Sequence, residues 1–386
     1  MKIIWILILS FLGCKNDIQR PPIYTLFLPS ADIQNEKIGV VSTDFSSGGR
    51  FYLIDSKTFL SIPSISNIHS DAVFKSYDNK IYIINRLNRD SILILDSAIG
   101  YLPTKEFSVG SGSNPQDLVI IRNKAYVSLY NKSYLAIVNL DSASIEKTID
   151  LSQYTEKNTP SGDTNPEMNR MSLIGNIIYL QLQRLDRGRG TLYPTPNTDS
   201  YILKIDTNSD TIIGFVPTPT PNPFSKMQKL VIENIDHLVM CVPGKLGYIS
   251  ELDGGISALN LSTGEFRKNL LLKESTVGGD ILDMSIKNEN EGYAYVLDKS
   301  FNKQIIKFNP LSGEKILTLA NFSSELGNIS GLTLSSDGKL FLGDASLNNP
   351  GVTVYDTNSA IPQKLTVTPI NVGLRPFELG VIGKQE

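Results

Sequence analysis

Short apolar runs, rich in β-branched and aromatic residues, follow one another along nearly the whole chain, separated by clusters of Gly, Asn, Asp, Ser and Pro. No stretch after the first dozen residues sustains a helical period, so the pattern predicts strands and tight turns. The clearest unit runs from Asn114 to Leu151. Asn114-Pro115 opens an apolar strand from Asp117 to Ile121, a turn at Arg122-Asn123 leads to Ala125-Tyr126-Val127-Ser128, and Tyr134 to Leu140 follows. A turn at Asp141-Ser142 then gives a fourth strand from Ile145 to Leu151. Four antiparallel strands in this order make one propeller blade.

The unit recurs. Its third strand ends on a turn-starting Asp or Asn at Asp55, Asp96, Asn139, Asp206, Asn260, Asn309 and Asp356, separated by 41, 43, 67, 54, 49 and 47 residues. The Asn114-Pro115 opening is echoed at Asn165-Pro166, Asn222-Pro223 and Arg375-Pro376. The first unit, from Lys37 to about Ile65, has room for three strands only, while Arg375 to Ile382 reads as a first strand with nothing after it. Pairing the two completes a blade and leaves no open edge. The expected fold is therefore all-β: a seven-bladed β-propeller closed by its C-terminal strand.

The unit resembles the YVTN-type family of bacterial β-propellers, carried by Asn114-Pro115-Gln116-Asp117-Leu118, Ala125-Tyr126-Val127-Ser128, Ile137-Val138-Asn139-Leu140 and Glu146-Lys147-Thr148-Ile149. The likeness implies the fold and a leaning towards surface or periplasmic binding roles. It implies no reaction, because one fold hosts many functions.

Extra residues are spent unevenly. Turns between first and second and between third and fourth strands stay short, while four long connections follow one another: Ser152 to Met168, Gln183 to Ser200, Pro217 to Ser225, and Pro243 to Gly255. All four belong to one face and to blades 4 and 5, so they should stand together, where a rigid scaffold carries its binding residues. Arg184, Arg187 and Arg189 could clamp a carboxylate or phosphate, although local pairing to Asp186 would serve equally. Phe224, Tyr193 and Tyr248 offer flat contact area. Glu251 and Asp253, near Asp163, could hold a cation or do acid-base work, with ordinary surface polarity as the plainer reading.

The N-terminus changes the picture of location. Met1-Lys2 is followed by an apolar run from Ile3 to Leu9 and by Ser10-Phe11-Leu12-Gly13-Cys14. The run is too short to span a bilayer as a mature helix. Gly13-Cys14 at its end resembles a bacterial lipobox, with Phe11 where the usual pattern has Leu. The division expected is a signal peptide over 1–13, an acylated Cys14 and tether over 14–36, and the propeller over 37–386. That places the protein in a bacterial cell envelope, held to a membrane by lipid, with the outer membrane or cell surface favoured. Cys241 lies in the apolar run Leu238 to Val242 and reads as a small core residue.

Composition excludes some chemistry. A formal net charge of -3 gives no general attraction to nucleic acid. Two His and two Cys are a poor stock for a transition-metal site, and His69 and His237 are expected on opposite faces. Asp206 to Asp210 imitates the start of a calcium loop but lacks its later ligands. No phosphate-cradling loop or nucleophile elbow occurs, and no cofactor or metal is implied. The chain is expected to be a binding or scaffold module for a protein, peptide or glycan partner. The alternative is an enzyme, such as a lyase, lactonase or glycan hydrolase, at the central channel.

Overall fold

The computed structural model describes residues 35–155, 164–186, 195–196, 199–246, 251–322 and 329–383, and Glu36–Glu386 forms one compact unit. Seven four-stranded antiparallel sheets follow one another as the blades of a propeller. The innermost strands of blades 2 to 7 are Val73–Tyr77, Pro115–Ile121, Met168–Ile174, Gln228–Ile232, Asp280–Asn288 and Ile329–Leu334. Blade 1 is made of Ser61–Ile68, Gly49–Asp55 and Lys37–Thr43, with Arg375–Val381 as its innermost strand. Ile38 pairs with Val381 and Val41 with Glu378, so the closure expected from the sequence is the closure observed.

All seven turn-starting residues end the third strand of their sheet. The reason is one repeated set of hydrogen bonds. Asn139 Oδ1 accepts from the N–H groups of Asp141 and Ser142 at 3.0 and 3.1 Å, and Asn260 and Asn309 do the same two and three residues on. Asp55 also caps two N–H groups, and Asp96, Asp206 and Asp356 accept from the residue two positions on. Only a short side-chain acceptor reverses the chain this way.

The core lies between consecutive sheets, where inward-facing residues of one blade pack on the next. Tyr126, Tyr293, Phe51, Phe308 and Phe341 are its largest fully buried side chains. Each such residue contributes about 1.5–3 kcal/mol by leaving water. Outer strands are half wet: Ser144–Asp150 buries Ile149 and exposes nearly all the rest. In blades 5 and 7 the fourth strand is reduced to Leu272–Lys273 and Gln363–Lys364. In blade 7 this strand follows directly on Pro362, which has no N–H to give a ladder.

Cys241 is fully buried within the strand Ile235–Val242, and burial pushes its thiol far up, out of the reactive range. His237 is the third residue of that same strand and is buried.

Closure supports a direct prediction. Ending the chain at Leu374 removes the innermost strand of blade 1, uncovering Val40 and Phe74 and opening a sheet edge. The loss should exceed about 5 kcal/mol, the scale of a domain's whole stability. Circular dichroism during heating should show no cooperative transition. An unchanged melting temperature would refute the closing role of Arg375–Val381.

Candidate functional site

Each innermost strand presents an unpaired edge to the axis of the ring, and most have their regular pairing broken at one level. Bulges fall at Pro115/Asp117, Met168/Met171, Ile281/Asp283 and Ile329/Leu332, and opposite Val41/Ser42 on the C-terminal strand. A bulge kinks the strand and re-aims a side chain. At this level blade 1 carries Glu378, blade 2 Lys75, blade 3 Asp117, blade 4 Arg170, blade 6 Asp283 and blade 7 Gly331. Lys226, two residues ahead of the first strand of blade 5, completes a belt of three acids and three bases.

The acids span neighbouring blades. Glu378 Oε2 accepts from Phe74 N at 3.3 Å, Asp117 Oδ2 from Met171 N at 2.8 Å, and Asp283 Oδ2 from Leu332 N at 3.4 Å. Each carboxyl therefore takes up an edge N–H of the next blade. The bases offset most of the buried charge. Lys75 Nζ lies 3.3 Å from Asp117, and both Arg170 Nη2 and Lys226 Nζ meet Glu378 Oε1, at 3.1 and 3.2 Å.

The acids differ in state. Burial would raise the Glu378 carboxyl, but Arg170, Lys226 and Arg86 outweigh it and hold it below the usual range. Asp283 has no cation within ion-pair distance among the described residues. Burial therefore dominates and lifts it to about 6, with Lys226 and Arg170 offsetting only part.

The belt lies between two cavities that share Lys226, Asp283 and Leu379. One, of about 660 Å³, opens among short turns. Its other lysines are engaged: Lys229 with Asp236 at 2.8 Å and Lys287 with the Thr357 carbonyl at 2.8 Å. The other, of about 610 Å³, opens on the face of the long loops, with Gln183, Leu185, Pro196, Phe224 and Leu246 on one side and Phe45 and Phe377 on another.

These loops are stitched to each other. Gln183 Nε2 donates to Asn222 Oδ1 at 2.5 Å, Asn222 Nδ2 to the Gly244 carbonyl at 3.0 Å, and Asn222 N to Ser200 Oγ at 2.8 Å. Thr220 Oγ1 donates to the Val242 carbonyl, tying the connection from Pro217 to Ser225 to the blade 5 sheet. Within the blade 4 loop, Leu185–Asp186 pairs with Thr195–Pro196 as a small ribbon that the sequence pattern had not suggested.

The residues singled out from sequence divide. Phe224 lines the cavity and is 41% exposed. Arg184 is buried: its Nε donates to the Tyr154 carbonyl at 2.9 Å, its Nη1 to the Asp199 carbonyl, and its guanidinium lies 4.2 Å over the Tyr201 ring. It serves to hold the loop base. Glu251 pairs with Lys245 Nζ at 2.8 Å, and Asp253 Oδ1 accepts from Lys245 N at 3.1 Å, closing their loop on itself. Cys14, Arg187, Arg189, Tyr193, Tyr248 and Asp163 lie outside the described residues. Asp210 joins Lys124 and the Tyr126 hydroxyl in a third-to-fourth turn. Among the described residues no three His, Cys, Asp or Glu side chains gather as metal ligands.

No family model matches the chain, and no curated protein matches it. Solved structures do. Hydrazine synthase of Kuenenia stuttgartiensis is similar with a TM-score of 0.52 and 14% identity, over 83% of this chain and 95% of that one. Apo AztD from Citrobacter koseri gives 0.50 and 12%, over 91% and 99%. The dihydro-heme d1 dehydrogenase NirN, in complex with DHE, gives 0.53 and 12%, over 90% and 75%. The likeness is one of fold.

The sequence carries one signal of the belt. Asp117 and Glu378 both stand two residues after the Pro that opens an innermost strand.

Opposite pH responses should follow from the belt. Asp283 has a raised folded-state pKa, so its favourable contribution is present at low pH and is lost as pH rises through about 6. Asp283→Asn should therefore stabilise the protein by about 1–3 kcal/mol near pH 8 and by almost nothing near pH 4. Glu378 is depressed, so its contribution is present above the ordinary carboxylate range and is lost on acidification. Glu378→Gln should cost about 3–5 kcal/mol at neutral pH by leaving Arg170 and Lys226 without a counter-charge, and less in acid. Thermal melts of both variants across pH check the two signs; a destabilised Asp283→Asn at high pH would contradict them.

Proposed function

We propose that the protein is a membrane-anchored binding module of a bacterial cell envelope, capturing its ligand or partner at the loop-face mouth of the channel. The observation that carries this reading is the joining of the blade 4 and blade 5 loops into one wall of a 610 Å³ cavity floored by the charged belt. That volume falls within the range of about 300–1,000 Å³ usual for small-molecule sites, and its few polar groups converge between aromatic surfaces. The anchor rests on the Gly13-Cys14 pattern alone. None of the propeller neighbours transfers an activity to this chain, since at 12–14% identity they share a fold.

A second reading, an enzyme at the same floor, has one observation in its favour. Asp283 and Glu378 are two carboxyls whose surroundings push their pKa values apart, as a general acid and its ionised partner require. Glu378 is held by two cations, which suits a fixed charge better than a moving proton.

Two experiments test the leading reading. Replacing residues 187–194 by a short Gly-Ser link keeps Gln183 and Ser200 in their hydrogen bonds and should leave melting within about 1 kcal/mol of the parent. Capture of envelope components in pull-downs should be lost in that variant and weakened by Phe224→Ala; undiminished capture in both would remove the site from this mouth. Metabolic labelling with a fatty-acid analogue should mark the parent and not Cys14→Ser, which should move to the soluble fraction. Equal labelling of the two would refute the anchor.

A further inference from the structure

The floor of the loop-face cavity offers bonding capacity of both signs that the protein itself leaves unspent. Arg170 carries five N–H donors, yet its only side-chain partner among the described residues is Glu378. Its guanidinium lies deep in the ring and still reaches the cavity, with a side-chain exposure of 16%. Asp283 can accept about four hydrogen bonds, yet among the described residues it takes only Met284 N at 2.9 Å and the long contact from Leu332 N. Asn169, donating to the carbonyls of Pro223 and Phe224, accepts no hydrogen bond at its Oδ1 among the described residues. Beside Asp283, blade 7 has Gly331, where an added Cβ would lie 3.6 Å from Asp283 Oδ2. Blade 7 therefore sets no side chain against the carboxyl at this position.

The sign of the charges narrows what can enter. An anion would meet Asp283 and Glu378, and a cation would meet Arg170 and Lys226. A hydroxyl donates and accepts at once, so a neutral ligand bearing several hydroxyls satisfies both halves of the floor without bringing a buried charge.

The rim supplies an independent observation. Phe45 is 43% exposed at the cavity and is held at φ 59°. That left-handed backbone is uncommon for a bulky residue and costs roughly 1 kcal/mol or more. Local bonds maintain it: Thr43 Oγ1 accepts from Phe45 N at 2.8 Å, and Asp44 Oδ1 accepts from the N–H groups of Ser46, Ser47 and Gly48. Arg375 stacks 4.3 Å over the ring, and Phe377 meets it edge-on at 6.0 Å. Arg375 and Phe377 hold the ring in place, and its remaining area stands exposed at the same cavity as Phe224. Rings flanking a floor of opposed donors and acceptors suit a molecule with apolar C–H faces and hydroxyl edges.

We propose that this cavity binds a neutral saccharide unit, with Arg170, Asp283 and Asn169 bonding its hydroxyls and Phe45, Phe377 and Phe224 packing on its C–H faces. The proposal rests on the binding reading above and names its ligand class.

The test uses the full chain in detergent, with saturation-transfer NMR followed by calorimetry. The probes are glucose, galactose, mannose, N-acetylglucosamine and disaccharides of each, with glucuronate and glucosamine as charged counterparts. At least one neutral sugar should bind, more tightly than either charged counterpart. Phe45→Ala and Asp283→Asn should each weaken it about tenfold, and since Asp283→Asn is expected to melt higher at neutral pH, its loss of binding would not be a loss of fold. Methyl glycosides with a blocked reducing end separate the end of a longer glycan, which they should match, from a free sugar, which they should not; either pattern supports the proposal. No binding across the panel, a preference for glucuronate or glucosamine, or unchanged affinity in both variants overturns it. If loop replacement still abolishes partner capture while no sugar binds, the ligand class alone falls; if capture is also indifferent to the loop, the binding reading falls with it.

Discussion

A propeller has one edge it cannot hide by closing: the innermost strand of every blade turns unpaired N–H and C=O groups towards the axis. Here, at three of the seven junctions, a belt carboxyl on one blade accepts an edge N–H of the next, from Glu378 to Phe74, Asp117 to Met171 and Asp283 to Leu332. Burying acids this way requires counter-charge, which Lys75, Arg170 and Lys226 supply. The charged belt is thus a consequence of the edges. Two of its members, Lys226 and Asp283, line both cavities.

The requirement is met unevenly, and the unevenness creates the site. Glu378 has two cations against it, while Asp283 relies on backbone N–H groups and remains a reluctant anion. Blade 7 contributes a glycine where the other blades contribute a charge. The result is a floor whose weakest-bonded members, Arg170 and Asp283, face the cavity walled by the long loops. A protein built only for stability would gain by neutralising such a carboxyl; keeping it has a cost of the sort found at functional sites.

Loop length and loop chemistry contributed different things. The described parts of the four long connections lie together: Gln183, Asn222, Ser200 and the Gly244 carbonyl join three of them, and Arg184 reaches the Tyr154 carbonyl of the other. Among the described residues, two of their charged side chains bond within the loops: Arg184 to carbonyls and to Tyr201, and Glu251 to Lys245. An arginine in a long loop is as useful for capping stray backbone carbonyls as for meeting a ligand, and residue type alone does not separate the two.

The blade order, the seven turn-starting residues and the closing strand were legible in the chain because each depends on local chemistry that repeats. An Asp or Asn that caps the N–H groups just ahead of it works the same way in every blade, and a lone first strand must find a partner. The site was not legible in that way. Asp117, Arg170, Asp283 and Glu378 lie far apart in sequence, on strands that otherwise read as ordinary apolar runs. They meet only because bulges at one level turn them inward and closure brings seven blades around one axis. Local pattern records what each strand does by itself; which charges face each other, and which stays short of partners, is decided when the ring closes.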